Sequence, residues 1–511
     1  MIENLSEILY QGLKLHPDKT AIIEDKKQYT FRDIDLLSNS LAFRLKTDFN
    51  IHHQDRVVVI AEKSINIILS AIAIWKLGAI YVPVDKSNGV DRIQYLINNV
   101  DAKLIISTSK IILNNIAILS NRPTLTYEQI KQIAKEQNVI HTTINTEDIA
   151  VIIHTSGSTG YPKGVMLDHR SIIAYFKAHN ELLNFDHHSI IINFGEFHFD
   201  ISIQDTFQPL FFGATVVLFK GLFLSKLIIN LILNQKVTHL IALSSVLSLI
   251  AAHKNELVQL QNSNLKVCQT GGEICDIKLI NQWKELLPNV KLINGYGPTE
   301  CNSLCMGYII EEPDYNRKDL FPIGTPFSNM EAVIINDKNE IIVNDNEIGI
   351  LCISGPQLMK GYWNAKEQTN KSLQKINNKV FYITGDLAKR TNGLYYFEGR
   401  KDSEVKILGK RINLNEVRNR ILLNSFIDYA VVSTIENNIF VYAHISSPES
   451  ANAEHLLESL KKYLPSYMFP KYIYLTEKIW RTSTNKIDEK VIIQNTLKAI
   501  SNNTNKQIII E

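Results

Sequence analysis

Short β-branched runs alternate with amphipathic segments through most of the first 300 residues. RVVVIA (Arg56 to Ala61), KLIIS (Lys103 to Ser107) and AVIIH (Ala150 to His154) read as buried strands. Their continuous apolar character suits strands covered on both faces. Ser64 to Leu77 and Ser171 to Leu183 read as helices, each with its serine at the N-cap. This alternation predicts an α/β fold whose sheets are mostly parallel and flanked by helices. The pattern differs over residues 331–355, where EAVIIN, DKNE and IIVNDNEIGILCIS predict an antiparallel β patch. After Arg400 the pattern changes again. VKIL, a helix from Leu414 to Leu423, strands AVVSTI and IFVYAHI, and a helix from Ala453 to Tyr463 predict a small α+β unit. The expected division is a large N-terminal region with several subdomains, 1–401, and a small C-terminal domain, 402–511.

The apolar stretch from Leu222 to Ala252 is broken by Lys226, Asn230, Asn234, Gln235, Lys236 and His239. No membrane span is expected, because spanning takes about 20 unbroken apolar residues. Buried strand and helix are expected instead. The N-terminus carries Glu3 and Glu7 and lacks a signal-peptide core. Charge adds an exclusion: 54 basic against 52 acidic residues supply no basic surface for nucleic acid or an anionic membrane. Five cysteines, without a CxxC pair, argue against a disulfide framework or zinc site and for reduced thiols in the cytoplasm.

TSGSTGYPKG, Thr155 to Gly164, carries the first chemistry. Its glycines let backbone approach a ligand closely, and Ser156, Ser158 and Thr159 add hydroxyl donors. It is not a Walker A loop, where Gly-Lys-Ser/Thr opens a helix; here Lys163 sits between Pro162 and Gly164.

With this loop occur, in order, WKLGAIYVPVD (75–85), FHFDIS (197–202), NGYGPTE (294–300) and GILCISGPQLMKGYW (349–363). YITGDL (382–387), GRKDSEVKILGKRINLNEV (399–417), LPSYMFP (464–470) and RTSTNKID (481–488) follow. Together they resemble the adenylate-forming superfamily of acyl-CoA synthetases, luciferases and nonribosomal peptide synthetase adenylation domains. NGYGPTE and Asp200 resemble its amino-acid branch. The resemblance implies ATP and Mg2+ as cofactors and an acyl-adenylate as intermediate, with pyrophosphate released.

By that resemblance, Thr155, Ser156, Gly157, Ser158, Thr159, Gly160 and Lys163 form a clamp on the β- and γ-phosphates, with Lys163 not the catalytic lysine. Tyr296 stacks on adenine, Asn294 and Gly295 border it, Asp386 accepts the ribose hydroxyls, and Arg400 lies near ribose and phosphate. Thr299 contacts the α-phosphate and Glu300 holds magnesium, for which carboxylate oxygen is a suitable ligand. Lys486 is the implied catalytic lysine and Asp402 the implied hinge. Asn413, Asn415 and Asn485 replace the family's usual glutamate, glycine and glycine, while Glu416 is kept.

Asp200 matches the aspartate that pairs with an α-ammonium group; the alternative role is an N-cap for a helix from Ile201. Ile201, Gln204, Ala242, Cys268, Thr270, Gly295, Ser303 and Leu304 are the expected side-chain pocket. None is charged, so an uncharged amino acid is expected, proline first and alanine second. A D-alanine–carrier protein ligase and an acyl- or aryl-CoA ligase are the alternatives. The chain ends shortly after RTSTNKID. The expectation is action in trans on the phosphopantetheine thiol of a separate carrier protein.

Overall fold

The computed structural model describes all residues except 1, 61–62, 108–120, 134–139, 141, 157–160, 274–275, 402–403, 436, 446–451, 482–486, 503–506 and 511. The chain forms two compact units. The first comprises Met1–Lys86, Ile97–His154 and Gly164–Lys401. The second comprises Ser87–Leu96, Thr155–Lys163 and Asp402–Glu511.

A nine-stranded sheet organises the first unit. Its order is Thr325–Pro326, Met306–Ile310, Lys291–Tyr296, Val267–Gly271, His239–Ile241, Ile190–Asn193, Thr215–Leu218, Thr20–Glu24 and Lys27–Thr30. Neighbours from Lys291–Tyr296 through Thr20–Glu24 pair in parallel, and the outer strands pair antiparallel. Helices cover both faces. The apolar stretch 222–252 resolves into helices Ser225–Asn234 and Ser244–Ala251 around strand His239–Ile241. A seven-stranded sheet contains the three strands expected from the pattern, as Arg56–Ile60, Leu104–Ser107 and Ile149–Thr155. Helix Ile65–Lys76 is buried from Ile65 to Trp75, which explains its nearly uninterrupted apolar sequence.

One cap expectation changes and the other holds in position. Helix His169–Leu183 begins before Ser171: Asp168 is its N-cap, and its carboxylate accepts the Ser171 N–H at 2.7 Å. Aspartate and serine are comparable caps, so hydrogen bonding decides which residue takes the position. Ser64 holds the N-cap position of the earlier helix but makes no side-chain cap bond.

Residues 331–355 form the expected antiparallel pair, Glu331–Ile335 with Gly349–Ser354. The sheet continues through Lys379–Thr391 and Leu394–Arg400. In the second unit, Ile427–Ile435, Asn438–Ile445, Tyr472–Thr476 and Ile508–Ile510 make a four-stranded sheet. Helices Leu414–Ile421, Ala453–Tyr463 and Glu489–Asn502 accompany it. Val417, Val441, Leu456 and Ile473 are buried together in its core. The terminal isoleucines, silent as sequence, extend this sheet in parallel with Tyr472–Thr476. Among the described residues no helix is long and apolar enough to cross a membrane.

Candidate functional site

The site gathers at the carboxyl ends of the parallel strands, where open α/β sheets place their ligands. Strand Ile190–Asn193 leads into a turn clamped by Asp205. Its carboxylate accepts from Asn193 Nδ2 at 2.7 Å, Phe194 N at 2.9 Å and Gly195 N at 2.6 Å. Burial pushes the Asp205 carboxyl up to about 6, against these bonds and the Lys63 charge, which pull it down. Gly195 is required here, because a Cβ would stand 2.7 Å from Ile201 Cγ2.

The clamp presents Asp200. Its side chain accepts the Thr299 hydroxyl at 2.5 Å, while its backbone carbonyl accepts from Ile203 N. The carboxylate thus faces the NGYGPTE segment. That helix opens as a π-turn, Ile203–Phe207, with Gln208 N bonded to Ile203 O. Pro209 has no N–H to offer the Asp205 carbonyl, so the α-helical ladder fails there and the turn widens. Gln204 lies on this turn.

Strand Lys291–Tyr296 brings in the nucleotide candidates. The Tyr296 hydroxyl donates to Asp386 Oδ2, and Arg400 donates to Asp386 Oδ1. Asp386 and Arg400 sit directly opposite each other on adjacent strands. Burial and the Asp386 charge raise the Tyr296 phenol, which therefore stays protonated as a donor. Asn294 Nδ2 donates to Pro322 O at 2.8 Å. A Cβ on Gly297 would lie 2.4 Å from Leu304 Cα, so only glycine allows this close return of the chain.

Glu300 is 1% exposed and follows Thr299 in a short 3-10 turn. Tyr362 donates its hydroxyl to Glu300 Oε1 at 2.7 Å, and Met359 N bonds Glu300 O. Sequence reasoning missed Tyr362 as a site residue, although it stands within GILCISGPQLMKGYW. Among the described residues no three His, Cys, Asp or Glu side chains converge to make a metal site. One hard carboxylate fits Mg2+ that arrives with nucleotide phosphates, since Mg2+ is usually held by one or two carboxylates plus substrate oxygens.

The expected side-chain pocket is only partly assembled. Gln204 Nε2 lies 3.1 Å from Ser303 Oγ, and a Cβ on Gly295 would meet Leu304 Cδ1 at 2.8 Å. Ile201 packs beside the same core. Thr270 instead bonds Ser244 at 3.2 Å. Cys268 and Ala242 pack with Leu240, Val246 and Leu292 in the second apolar core. The neighbour that reaches Gln204 is Gln269, at 3.0 Å. Successive strand side chains point to opposite faces, so Gln269 meets Gln204 on one face while Cys268 packs on the other. No sequence signal separated Cys268 from Gln269.

Thr155, Ser156 and Lys163 belong to the second unit, where Ser156 Oγ donates to Arg411 O at 3.0 Å. Gly157, Ser158, Thr159, Gly160, Asp402 and Lys486 lie outside the described residues.

A family profile described as AMP-binding enzyme matches residues 10–363. Tyrocidine synthase 1 of Brevibacillus parabrevis is 29% identical over 510 residues, which cover 97% of this chain and 45% of that protein. The chain spans less than half the length of the curated relatives it matches. The Vibrio cholerae adenylation domain AlmE, solved with glycyl-adenosine-5'-phosphate, superposes with a TM-score of 0.82 at 20% identity, covering 98% of both chains. An artificially fused adenylation–PCP di-domain NRPS from Klebsiella oxytoca, NpsA-ThdA, gives 0.80 at 20% identity, covering 93% of this chain and 86% of that one. At such identities the superpositions establish the fold: that of NRPS adenylation domains.

Proposed function

We propose, from the premise that this chain belongs to the AMP-binding enzyme family, that it activates an uncharged α-amino acid as its aminoacyl-adenylate. The Asp200–Thr299 contact carries this reading. It sets a carboxylate suited to an α-ammonium beside a hydroxyl suited to the α-phosphate. The amino-acid carboxylate would then be held next to the phosphorus it attacks, which is the main gain that positioning can supply.

In the reaction, a carboxylate oxygen bonds to the α-phosphorus and the bond to the β-phosphate oxygen breaks, releasing pyrophosphate. Tyr296, Asn294 and Gly295 are assigned to adenine, and Asp386 with Arg400 to the ribose side. Nucleotide binding would displace the Tyr296 or Arg400 bond on Asp386 in favour of ribose hydroxyls. Mg2+, held by Glu300, would neutralise phosphate charge. Lys486 is assigned to the developing charge at the reacting oxygens, the phosphate loop to the leaving pyrophosphate, and Asp402 to a hinge between 1–401 and 402–511.

A carrier-bound phosphopantetheine thiol would next attack the acyl carbon, and AMP would leave. The thioester step is supported by the adenylation–PCP pairing in NpsA-ThdA. Proline and then alanine are the first substrates to try, and the cytoplasm is the assigned location. The test is amino-acid-dependent ATP–pyrophosphate exchange, with D-alanine included. Exchange stimulated by fatty or aryl acids, and by no amino acid, would reject the reading.

A further inference from the structure

A chain of buried polar side chains runs from the interior of the first unit to the proposed pocket. Gln208 Nε2 donates to the Phe176 carbonyl at 3.1 Å. Gln208 Oε1 lies 2.9 Å from His179 Nδ1, and His179 Nε2 lies 2.7 Å from the Gln269 amide. Gln269 meets Gln204 at 3.0 Å, and Gln204 meets Ser303 at 3.1 Å. Exposure rises along this path, from 0% at Gln208 and His179 through 2% and 4% to 6% at Ser303. Ser303 is held at φ 78°, in the left-handed region that a serine occupies at a cost.

The chain can be wired in only one direction if His179 is neutral. Burial draws its imidazole down to about 4, opposed only by the two glutamine hydrogen bonds. A neutral ring has one N–H and one lone pair. The two ends of an amide have nearly the same shape, so hydrogen bonding decides which way each glutamine faces. Gln208 cannot turn round, because its oxygen would then face the Phe176 carbonyl oxygen. It therefore accepts from His179 Nδ1–H, and Nε2 carries the lone pair. Gln269 must turn its NH2 to Nε2, which leaves its oxygen for Gln204. Gln204 turns its NH2 to Gln269 and its oxygen to Ser303, and the Tyr175 hydroxyl, which stands 3.3 Å from the Gln204 amide oxygen as a donor, rotates to accept the second amide hydrogen. Ser303 then gives its only proton to Gln204.

We propose that His179, through Gln269, is a positioning residue that fixes the Gln204 amide and leaves the Ser303 oxygen as an acceptor. The pocket therefore favours an uncharged amino acid whose side chain donates a hydrogen bond over the same skeleton without that donor. This rests on the amino-acid reading above. A donor meeting Ser303 gains a hydrogen bond, whereas an apolar group there leaves a lone pair unmet.

Two measurements test it. 15N NMR of histidine-labelled protein, with the His179 signal assigned by its loss in His179→Gln, should show the neutral Nδ1–H tautomer at pH 7. An Nε2–H ring or an imidazolium overturns the wiring. Exchange kinetics on matched pairs (serine and alanine, threonine and valine, 4-hydroxyproline and proline) should show at least one hydroxyl member ahead in kcat/KM by on the order of tenfold. In Gln269→Met that preference should fall to about twofold or less, because Gln204 is released. In Gln269→Glu it should persist, since a carboxyl that shares one added proton with His179 Nε2 still accepts from Gln204. A purely structural lesion would lower both members of each pair alike. Equal use of each pair by the unmodified protein, or a preference unchanged in Gln269→Met, sinks the proposal. Exchange with no amino acid sinks the proposed function instead, while the tautomer still judges the wiring.

Discussion

Asp200→Asn separates an ammonium anchor from a structural aspartate. The replacement keeps the shape, and its amide oxygen can still accept the Thr299 hydroxyl, now 2.5 Å from the carboxylate. What it removes is charge. Opposite unit charges about 4 Å apart attract by ~4 kcal/mol at an effective dielectric of about 20. Removing two ions from water offsets much of that. A charge-assisted hydrogen bond nets about 1.5–3 kcal/mol, and each ~1.36 kcal/mol is tenfold in rate. Asp200→Asn should therefore lower kcat/KM for the amino acid by about 10- to 150-fold. The KM for ATP should hold, because the change leaves Asp386, Tyr296 and Arg400 untouched. Exchange kinetics at varied amino acid and then varied ATP separate the two. Thermal melting of the free protein should be nearly unchanged, since Asp200 is only partly buried. An amino-acid kcat/KM within twofold of the parent, or an equal loss on the ATP axis, would refute the anchor.

Tyr362→Phe removes the hydroxyl that orients Glu300. Half-saturating Mg2+ should rise by about tenfold at constant amino-acid KM, and calorimetric titration of Mg2+ with ATP bound should show the same weakening; an unchanged titration would leave Tyr362 a packing residue. Burial draws His169, His179 and His239 each down to about 4 from 6.5. Their folded values lie below the unfolded one, so their contribution is full above pH 6.5 and is lost as pH falls toward 4, at up to about 3 kcal/mol each. Asp205, raised to about 6, acts the other way and returns roughly one such share over the same interval. Urea titrations followed by Trp75 and Trp283 fluorescence should thus show stability falling between pH 6.5 and 4.5; a flat profile contradicts the three neutral rings. In the second unit the Arg92–Glu416 ion pair is buried, with side chains 5% and 0% exposed. Glu416→Ala should cost about 3–5 kcal/mol, and Arg92→Met with Glu416→Met should recover most of it; additive losses in the double variant would exclude the pairing.

Much of this was legible from local patterns. The period of apolar residues marks Arg56–Ile60, Leu104–Ser107 and Ala453–Tyr463 nearly to their ends, because burial on both faces or on one stripe demands a particular spacing. Ordered motifs named the family, and they placed Asp386 and Arg400 in one role before the sheet set them opposite each other. The FHFDIS motif also singled out Asp200, which the fold sets against Thr299.

Other features depend on distances that no local pattern encodes. Tyr362 meets Glu300 and Tyr296 meets Asp386 across long intervals of chain, brought together by sheets that pair in three dimensions. The choice between Cys268 and Gln269 turns on which sheet face a strand presents, and strand alternation allows both until neighbouring helices settle it. Gln208, His179 and Gln269 read singly as ordinary polar residues in apolar runs. Their meaning is collective: each has to satisfy the next, because all three are buried and close on one another.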